Sequence, residues 1–228
     1  YYVSRTQLHI QIPVELVPGP ASIIVERKVG QQTLRSAPFS ITLDSHSPGV
    51  RTVGGAVTGL AMGQVGGLLE PLISREVAAY PGAAVTIFAI GLGATVPVVP
   101  TGVFSRPTRT VSVPKVTVGD RSCQVVESVL GTVLGEPGLY NVSFILPTDL
   151  PVGELPLFVE IGGKKSQSGV VLPVARRFPD LTVLSVSLSK NSGQPGEVVT
   201  VSYSIKNQGD RSAGSTRQIV WSTSSTLD

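Results

Sequence analysis

The sequence predicts an all-β fold built from tandem immunoglobulin-like β-sandwich modules, of which the first and the last are incomplete. Only 14% of the 228 residues are charged, whereas 25 are glycine and 18 are proline. That composition is typical of strands joined by tight turns. Many short segments alternate apolar and polar residues, which is the period of a half-buried strand. One strand–turn–strand pattern also occurs twice, 134 residues apart.

This repeat sets the predicted organisation. The first copy spans residues 8–26 and the second residues 142–160, with the spacing kept throughout. In each copy an alternating strand ends at a proline, which cannot donate to a central ladder, and a glycine permits the following turn. The matched positions are Pro13 with Pro147, Leu16 with Leu150, Gly19 with Gly153, and Val25-Glu26 with Val159-Glu160. We therefore expect the two segments to form the same hairpin-like unit.

Four regions follow from the repeat and from the turn residues. We expect residues 1–45 to be the C-terminal part of one module, 46–80 a glycine-rich connection, 81–175 a complete sandwich and 176–228 a truncated one. In the first region Leu8, Ile10 and Ile12 alternate with polar residues and predict a half-buried strand.

The complete sandwich is expected between Gly82 and Val174, and residues 81–175 are expected to fold alone. Strands are predicted at 85–90, 111–118, 122–130, 138–146, 155–161 and 168–174. The side chains expected to point inward are Tyr140, Val142, Phe144, Leu146, Phe158 and Val159. Asn141 and Ser143 are expected on the exposed face.

The last region shows the same alternation. Leu184, Val186 and Leu188 are separated by serines, and the stretch 199–205 alternates in the same way before a turn at 207–210. A further strand is predicted to begin at Gln218. Roughly 50 residues are too few for a closed sandwich, so we expect this module to be truncated and unable to fold by itself.

The stretch from Val53 to Leu69 permits two interpretations. It carries no charge, and Gly55, Gly59, Gly63 and Gly67 recur at every fourth residue, as in packed membrane helices. A spanning helix needs about 20 apolar residues, and this stretch is shorter and contains Gln64. The favoured interpretation is an extended connection packed on the next module, without membrane insertion.

The chemistry-bearing residues are few and scattered. The net charge is +3, and the basic residues form no concentrated face of the kind nucleic acid requires. Cys123 lies in an alternating strand and is expected to be a small buried hydrophobe. His9 and His46 are expected to be solvated, away from any ligand set. The predicted catalytic, cofactor and metal residues are therefore none.

Three short patterns are expected to be incidental. Gly91-Leu92-Gly93 lacks the third glycine and the helix of a phosphate loop. Asn141-Val142-Ser143 matches a glycosylation sequon but falls inside a predicted strand. Asp228 alone does not supply the several oxygen ligands of a calcium site.

Two family resemblances emerge from the motifs. Residues 1–175 resemble a repeated C-terminal domain of unknown function in large secreted acidobacterial proteins. The motifs that carry this resemblance are Gln11-Ile12-Pro13, Ser36-Ala37-Pro38-Phe39, Pro81-Gly82, Gly91-Leu92-Gly93-Ala94-Thr95, Pro100-Thr101-Gly102 and Gly138-Leu139-Tyr140-Asn141-Val142. One departure is Arg121-Ser122-Cys123, where small apolar residues are expected.

Residues 179–228 resemble the first half of a CARDB module, a bacterial cell-adhesion-related domain. The motifs are Pro179-Asp180-Leu181, Gln194-Pro195-Gly196, the strand 199–205 with Lys206-Asn207-Gln208-Gly209, and Ala213-Gly214. The resemblances imply non-catalytic, adhesion-type spacer modules of a large secreted or cell-surface bacterial protein. Their partner would be a protein or polysaccharide, with no nucleic acid and no cofactor.

The alternative is a carbohydrate-binding accessory module of a secreted hydrolase. It requires exposed aromatic rings on which sugars stack, and aromatic residues make up only 5% of the chain. The candidate rings are Tyr1, Tyr2, Tyr80, Phe104, Phe178 and Trp221, which are dispersed along the sequence.

Overall fold

The computed structural model describes residues 2–4, 6–66, 72–103, 106–131, 136–176 and 181–207. These residues form β-strands and turns, together with one 3₁₀ turn at Val53–Gly55. The predicted all-β class is therefore confirmed. The chain divides into two compact units, residues 1–174 and 175–228.

The first 43 residues contribute three antiparallel strand pairs to the first unit, β1 with β2, β3 with β6 and β4 with β5. The strands are β1 (Tyr2–Val3), β2 (Leu8–His9), β3 (Gly19–Ile23), β4 (Glu26–Val29), β5 (Gln32–Arg35) and β6 (Phe39–Leu43). The half-buried strand predicted from Leu8 to Ile12 is wrong, because only Leu8 and His9 pair and the apolar side chains stay exposed. Alternation predicts which side chains share one face of a strand, but it cannot show whether a second sheet packs against that face.

The remainder of the first unit is a β-sandwich. Its strands are β7 (Gly49–Val50), β8 (Gly59–Leu60), β9 (Gly63–Val65), β10 (Ala84–Ile90), β11 (Thr95–Val96), β12 (Thr108–Thr110), β13 (Lys115–Val118), β14 (Arg121–Leu130), β15 (Tyr140–Ile145), β16 (Gly153–Ile161), β17 (Lys164–Lys165) and β18 (Val170–Val174). The hydrogen-bonded order is β7-β10-β15-β14-β13-β16-β18-β8.

Strand β14 forms the corner of the sandwich. Its first residues pair with β13, and its later residues pair with β15 beyond a bulge between Val125 and Glu127. A bulge bends a strand and increases its twist, so one strand can serve both layers. The core between the layers is built from Ile87, Val142 and Phe144 on one side and Val116, Leu157, Val159 and Leu172 on the other. The predicted burial of Val142, Phe144, Leu146 and Val159 is confirmed.

Three side chains depart from the predicted alternation. Asn141 is only 4% exposed, because its neighbours in register on the outer face, Phe88 and Val129, are buried as well. Ser143 is half-buried, and its hydroxyl lies 2.8 Å from that of Thr86. Phe158 points away from the core, since Leu157 and Val159 occupy the inner face, and the Lys165 ammonium lies 3.7 Å from its ring centre.

The described residues of the glycine-rich segment, 46–66 and 72–80, contain short strands that pair with the sandwich. Strands β7 and β9 pair with β10, and β8 runs parallel to β18. Val50, Ala61 and Ile73 are buried in the same core as β10 and β15. Gly63 makes the close pairing possible, because a Cβ there would lie 2.4 Å from the Thr86 carbonyl oxygen.

The second unit contains an antiparallel pair, β19 (Leu181–Leu188) and β20 (Val201–Asn207), with a bulge between Val183 and Ser185. Between the strands Gln194 and Glu197 close a turn, in which the Glu197 amide donates to the Gln194 carbonyl and the Gln194 amide donates to the Glu197 carboxylate. Gly196 has a φ of +90°, a backbone conformation that favours glycine. The predicted strand at 218–222 lies outside the described residues.

Candidate interaction surfaces

The predicted common unit is only partly present, because the first strand of the repeat pairs differently in the two copies: β15 pairs with β10 and β14, whereas in the first copy only Leu8 and His9 pair, with β1. The second strand and its partner have the same register in both copies. Gly19 pairs with Leu43 in the first copy, and Gly153 pairs with Val174 in the second. Two positions further along, Ala21 pairs with Ile41 and Leu155 pairs with Leu172. Both glycines have positive φ, +145° and +132°.

A serine makes the same pair of bonds in each copy. The Ser36 amide donates to the Val25 carbonyl at 3.0 Å, and the Val25 amide donates to the Ser36 hydroxyl at 3.0 Å. In the second copy the Ser166 amide and hydroxyl bond Val159 in the same way, at 2.8 and 3.0 Å. Both serines lie beyond the sequence repeat, which ends at Glu26 and Glu160, and they are not at the 134-residue offset.

The copies differ in what covers them. Strand β13 pairs with β16, so that Val116 faces Val159 and Val118 faces Leu157. Among the described residues, β3 pairs only with β6 and β4 only with β5. Accordingly Val159 is fully buried, whereas Val25 is 47% exposed and Phe39 is 69% exposed. The first copy therefore presents an exposed apolar edge, whereas the equivalent edge of the second copy is covered by β13.

Two of the sequence motifs, at residues 11–13 and 100–102, meet where the first 43 residues contact the sandwich. The Glu15 carboxylate accepts bonds from the Thr101 amide at 3.1 Å and from the Thr101 hydroxyl at 2.6 Å. The Val14 amide donates to the same hydroxyl, and the Gly102 amide donates to the Gln11 side-chain carbonyl. The bonds from Thr101 lower the pKa of Glu15.

Two further motifs meet inside the sandwich. The Tyr140 hydroxyl donates to the Gly93 carbonyl at 2.6 Å, and burial raises the pKa of Tyr140. Tyr140 and Gly93 are 47 residues apart in the sequence, and their contact forms only in the folded chain. This bond joins β15 to the loop that follows β10.

The residues with potential chemistry lie apart. His9 is exposed, as predicted. The prediction of a solvated His46 is wrong, because its ring is half-buried and packs closely against Gly93 and Gly162, where no side chain stands in the way. Cys123 is buried, and desolvation raises its pKa to about 11. Within the described ranges no three His, Cys, Asp or Glu residues are grouped to hold a metal ion.

Most of the aromatic side chains that were candidates for a sugar-binding platform belong to residues that the structure does not describe. Tyr1, Phe104, Phe178, Trp221 and the side chain of Tyr2 are not described. Tyr80 packs against the core, so its ring is not free to form a platform. Among the described residues, sequence reasoning missed two exposed rings, Phe39 at 69% and Tyr203 at 46% exposure.

Two other sequence patterns can be placed. The sequon asparagine, Asn141, is buried, which leaves no room for a glycan. Within the Val53–Leu69 stretch, the described residues form the 3₁₀ turn at Val53–Gly55 and the strands β8 and β9. Across the part of the chain that the structure describes, no helix is long and apolar enough to span a membrane. Asp228 lies outside the described residues.

Comparison with known proteins finds a family similarity in the C-terminal region. A family model for CARDB, a cell-adhesion-related domain family, matches residues 178–226. This match confirms the CARDB part of the resemblance seen in the sequence. No curated protein and no solved structure matches the chain.

Proposed function

We propose that this chain is a non-catalytic, adhesion-type module of a large secreted or cell-surface bacterial protein. The observation that carries the proposal is the CARDB match at residues 178–226. The preceding unit, residues 1–174, acts as a spacer that holds the CARDB region away from its attachment point. Its partner is a protein or polysaccharide at a cell surface.

The architecture of the first unit supports a spacer role. Two hairpins of the same arrangement follow one another along the chain, as in proteins that stack repeated structural units. A sandwich with Phe144, Leu157 and Val159 fully buried provides a rigid body. We infer that the two hairpins descend from one repeated module, as the resemblance of residues 1–175 implies.

The adhesive role is tested by surface binding of two proteins, the full chain and residues 1–174. Each is passed over immobilised polysaccharides and extracellular proteins in a surface-plasmon-resonance panel. We expect the full chain to bind at least one surface, and we expect residues 1–174, which lack the CARDB region, not to bind it.

Two outcomes contradict the proposal. Equal binding by residues 1–174 would place the adhesive surface outside the CARDB region. Binding confined to polysaccharides and abolished by Phe39→Ala would instead favour the carbohydrate-binding alternative, since sugar recognition depends on an exposed ring. Phe144 is unsuitable as the ring to remove because it is a core residue, whereas Phe39 can be replaced without opening a cavity.

A further inference from the structure

The chain enters and leaves the sandwich at opposite ends of its strands. In the hydrogen-bonded order from β7 to β18, each of the six successive pairs is antiparallel, so β18 runs in the same direction as β7. The parallel pairing of β8 with β18 agrees with that count. The start of β7, where the chain enters, is therefore at one end of the paired strands, and the end of β18, where it leaves, is at the other.

Residues 47–66, here called the entry segment, pair with β10. The Arg51 amide donates to the Phe88 carbonyl at 2.8 Å, and the Phe88 amide donates to the Met62 carbonyl at 3.0 Å. Strands β7 and β9 precede and follow these bonds, and both run antiparallel to β10. The entry segment therefore forms one edge of the β10 layer, interrupted by residues 52–61.

The interrupting residues bond the other layer of the sandwich. The Gly59 amide donates to the Gly169 carbonyl, and the Ala61 amide donates to the Val171 carbonyl, both at 2.9 Å. Ala61 is also fully buried in the core. One continuous segment thus ties β10 in one layer to β18 in the other.

A side-chain amide pairs with β7 as a neighbouring strand would. The Val50 amide donates to the Gln167 side-chain carbonyl at 3.0 Å, and the Gln167 side-chain amide donates to the Val50 carbonyl at 2.6 Å. Successive residues of a strand direct these groups to opposite edges, so Val50 is bonded on the edge away from β10. Gln167 lies between β17 and β18 and links the start of the entry segment to the start of β18.

Strand direction decides how tension along the chain acts on these bonds. When two pulled points lie at the same end of neighbouring strands, the bonds between the strands open one after another. Here the pulled points lie at opposite ends, so the entry segment must slide past β10 and β18 before it can leave. Sliding loads the hydrogen bonds of both edges at once, and a higher force is needed because the bonds share the load.

We propose that the entry segment is a tension clamp, which keeps the sandwich folded when the chain is pulled along its length. The proposal rests on the spacer role given above, because a spacer carries the force applied to the adhesive region it supports. It concerns residues 47–66 and Gln167, and it goes beyond binding by the CARDB region. Forced unfolding is governed by the unfolding rate, so the clamp acts on that rate.

The test pulls the full chain in optical tweezers from two pairs of attachment points. The first pair is the two termini. The second is the N-terminus and the side chain of an Ile90→Cys variant, since Ile90 is 44% exposed and lies opposite Gly49 at the start of β7. The native thiol of Cys123 is buried and does not compete for the handle. Opening the sandwich from the termini lengthens the chain by on the order of 40 nm, and we expect it to need at least about twice the force that first opens the second pair at the same pulling rate.

Two protein variants locate the clamp. Under constant tension between the termini, Gln167→Ala should unfold about tenfold faster than the wild type, because both hydrogen bonds to Val50 are lost. The control, Gln124→Ala, removes an exposed amide from β14 and should change the rate by less than about twofold. Circular dichroism melting of every variant checks that each is folded before it is pulled.

Two results would overturn the proposal. The first is an equal opening force for the two pairs of attachment points, since the bonds would then not be loaded together by tension along the chain. The second is a Gln167→Ala variant that unfolds under tension no faster than Gln124→Ala. Either result would leave the surface-binding test of the CARDB region unaffected, so failure of the clamp and failure of the adhesive role are separate outcomes.

Discussion

At the scale of single residues, burial decides which groups can react. Cys123 lies in β14 opposite Val116, and its removal from water raises the pKa of the thiol from 9.0 to about 11. At pH 8 almost no thiolate is present in the folded chain, so the nucleophile needed for disulfide exchange or alkylation is missing.

We expect Cys123 to be labelled by a disulfide reagent at pH 8 only when the protein unfolds. Adding urea should raise the labelling rate by orders of magnitude through the unfolding transition. The raised pKa also means that Cys123 stabilises the fold fully below pH 9.0 and loses that contribution as pH rises through about 11. Fast labelling in the absence of denaturant would show that the thiol is exposed.

A second residue-scale prediction concerns Thr101. Thr101→Val removes the hydroxyl that donates to Glu15 and accepts from the Val14 amide. We expect the pKa of Glu15, followed by carboxyl-carbon NMR, to rise towards its ordinary value, and the Val14 amide to exchange faster. Since the pKa of Glu15 is lowered in the folded chain, this contact stabilises above the ordinary pKa of glutamate and is lost as the solution is acidified.

The same replacement at Thr117, a strand residue of β13, provides the control. Thr117→Val should leave the pKa of Glu15 and the exchange of the Val14 amide unchanged. If Thr101→Val also leaves both unchanged, the Glu15 carboxylate does not depend on Thr101 in solution.

At the scale of strands, alternation predicted the elements that span several residues. The strands expected at 85–90, 122–130 and 155–161 are confirmed, because each has a continuous buried face against the core. The strands of segment 46–80 are two or three residues long. A period of two cannot be detected over so few residues, and glycine supplies no side chain to mark a face.

Burial on the outer face of a sheet is equally hidden from the sequence. Alternation correctly placed Asn141 on the outer face of the sheet. It could not show that this part of the outer face is buried, together with the cross-strand neighbours Phe88 and Val129. Likewise, the contacts of Gln11 and Glu15 with the Thr101 turn join residues more than 80 positions apart. A local sequence pattern cannot predict a contact between residues so far apart, so the contacts of Gln11 and Glu15 with Thr101 and Gly102 were seen only in the structure.

The element-scale prediction concerns the approach of β9 to β10. Gly63→Ala places a methyl group against the Thr86 backbone and should destabilise the first unit by about 2–4 kcal/mol. Gly54→Ala is the control, because Gly54 has a φ of +80° but open space around it. That variant should lose only about 1 kcal/mol. Equal losses in urea unfolding would show that conformational strain, and not the close approach of the strands, explains the glycine.

At the scale of the whole molecule, the two units differ in how well their apolar side chains are covered. Val186, Leu188 and Tyr203 of the β19–β20 pair are exposed, whereas the sandwich has a continuous buried apolar core. An exposed two-stranded sheet is marginally stable in water. We expect residues 179–228 alone to be unfolded or to aggregate, with no cooperative melt in circular dichroism. A sharp two-state melt would instead identify a complete small domain and remove the adhesion inference drawn from the CARDB match.

The sandwich is the packed body of the first unit, and the residue at which it begins is the central structural claim. The sequence alone predicts that residues 81–175 fold by themselves, but the structure places Val50, Ala61 and Ile73 in the core. Burying two aliphatic side chains such as Val50 and Ile73 contributes about 3–6 kcal/mol. Residues 81–175 should therefore be much less stable than a fragment that includes the preceding strands.

The most direct measurement is the thermal melting of two fragments, residues 44–176 and 81–176, under the same conditions. We predict a single cooperative transition for residues 44–176. For residues 81–176 we predict a melting temperature at least about 10 °C lower, or no transition at all. Equal melting temperatures would contradict the claim, because strands β7, β8 and β9 would then contribute nothing to the stability of the sandwich.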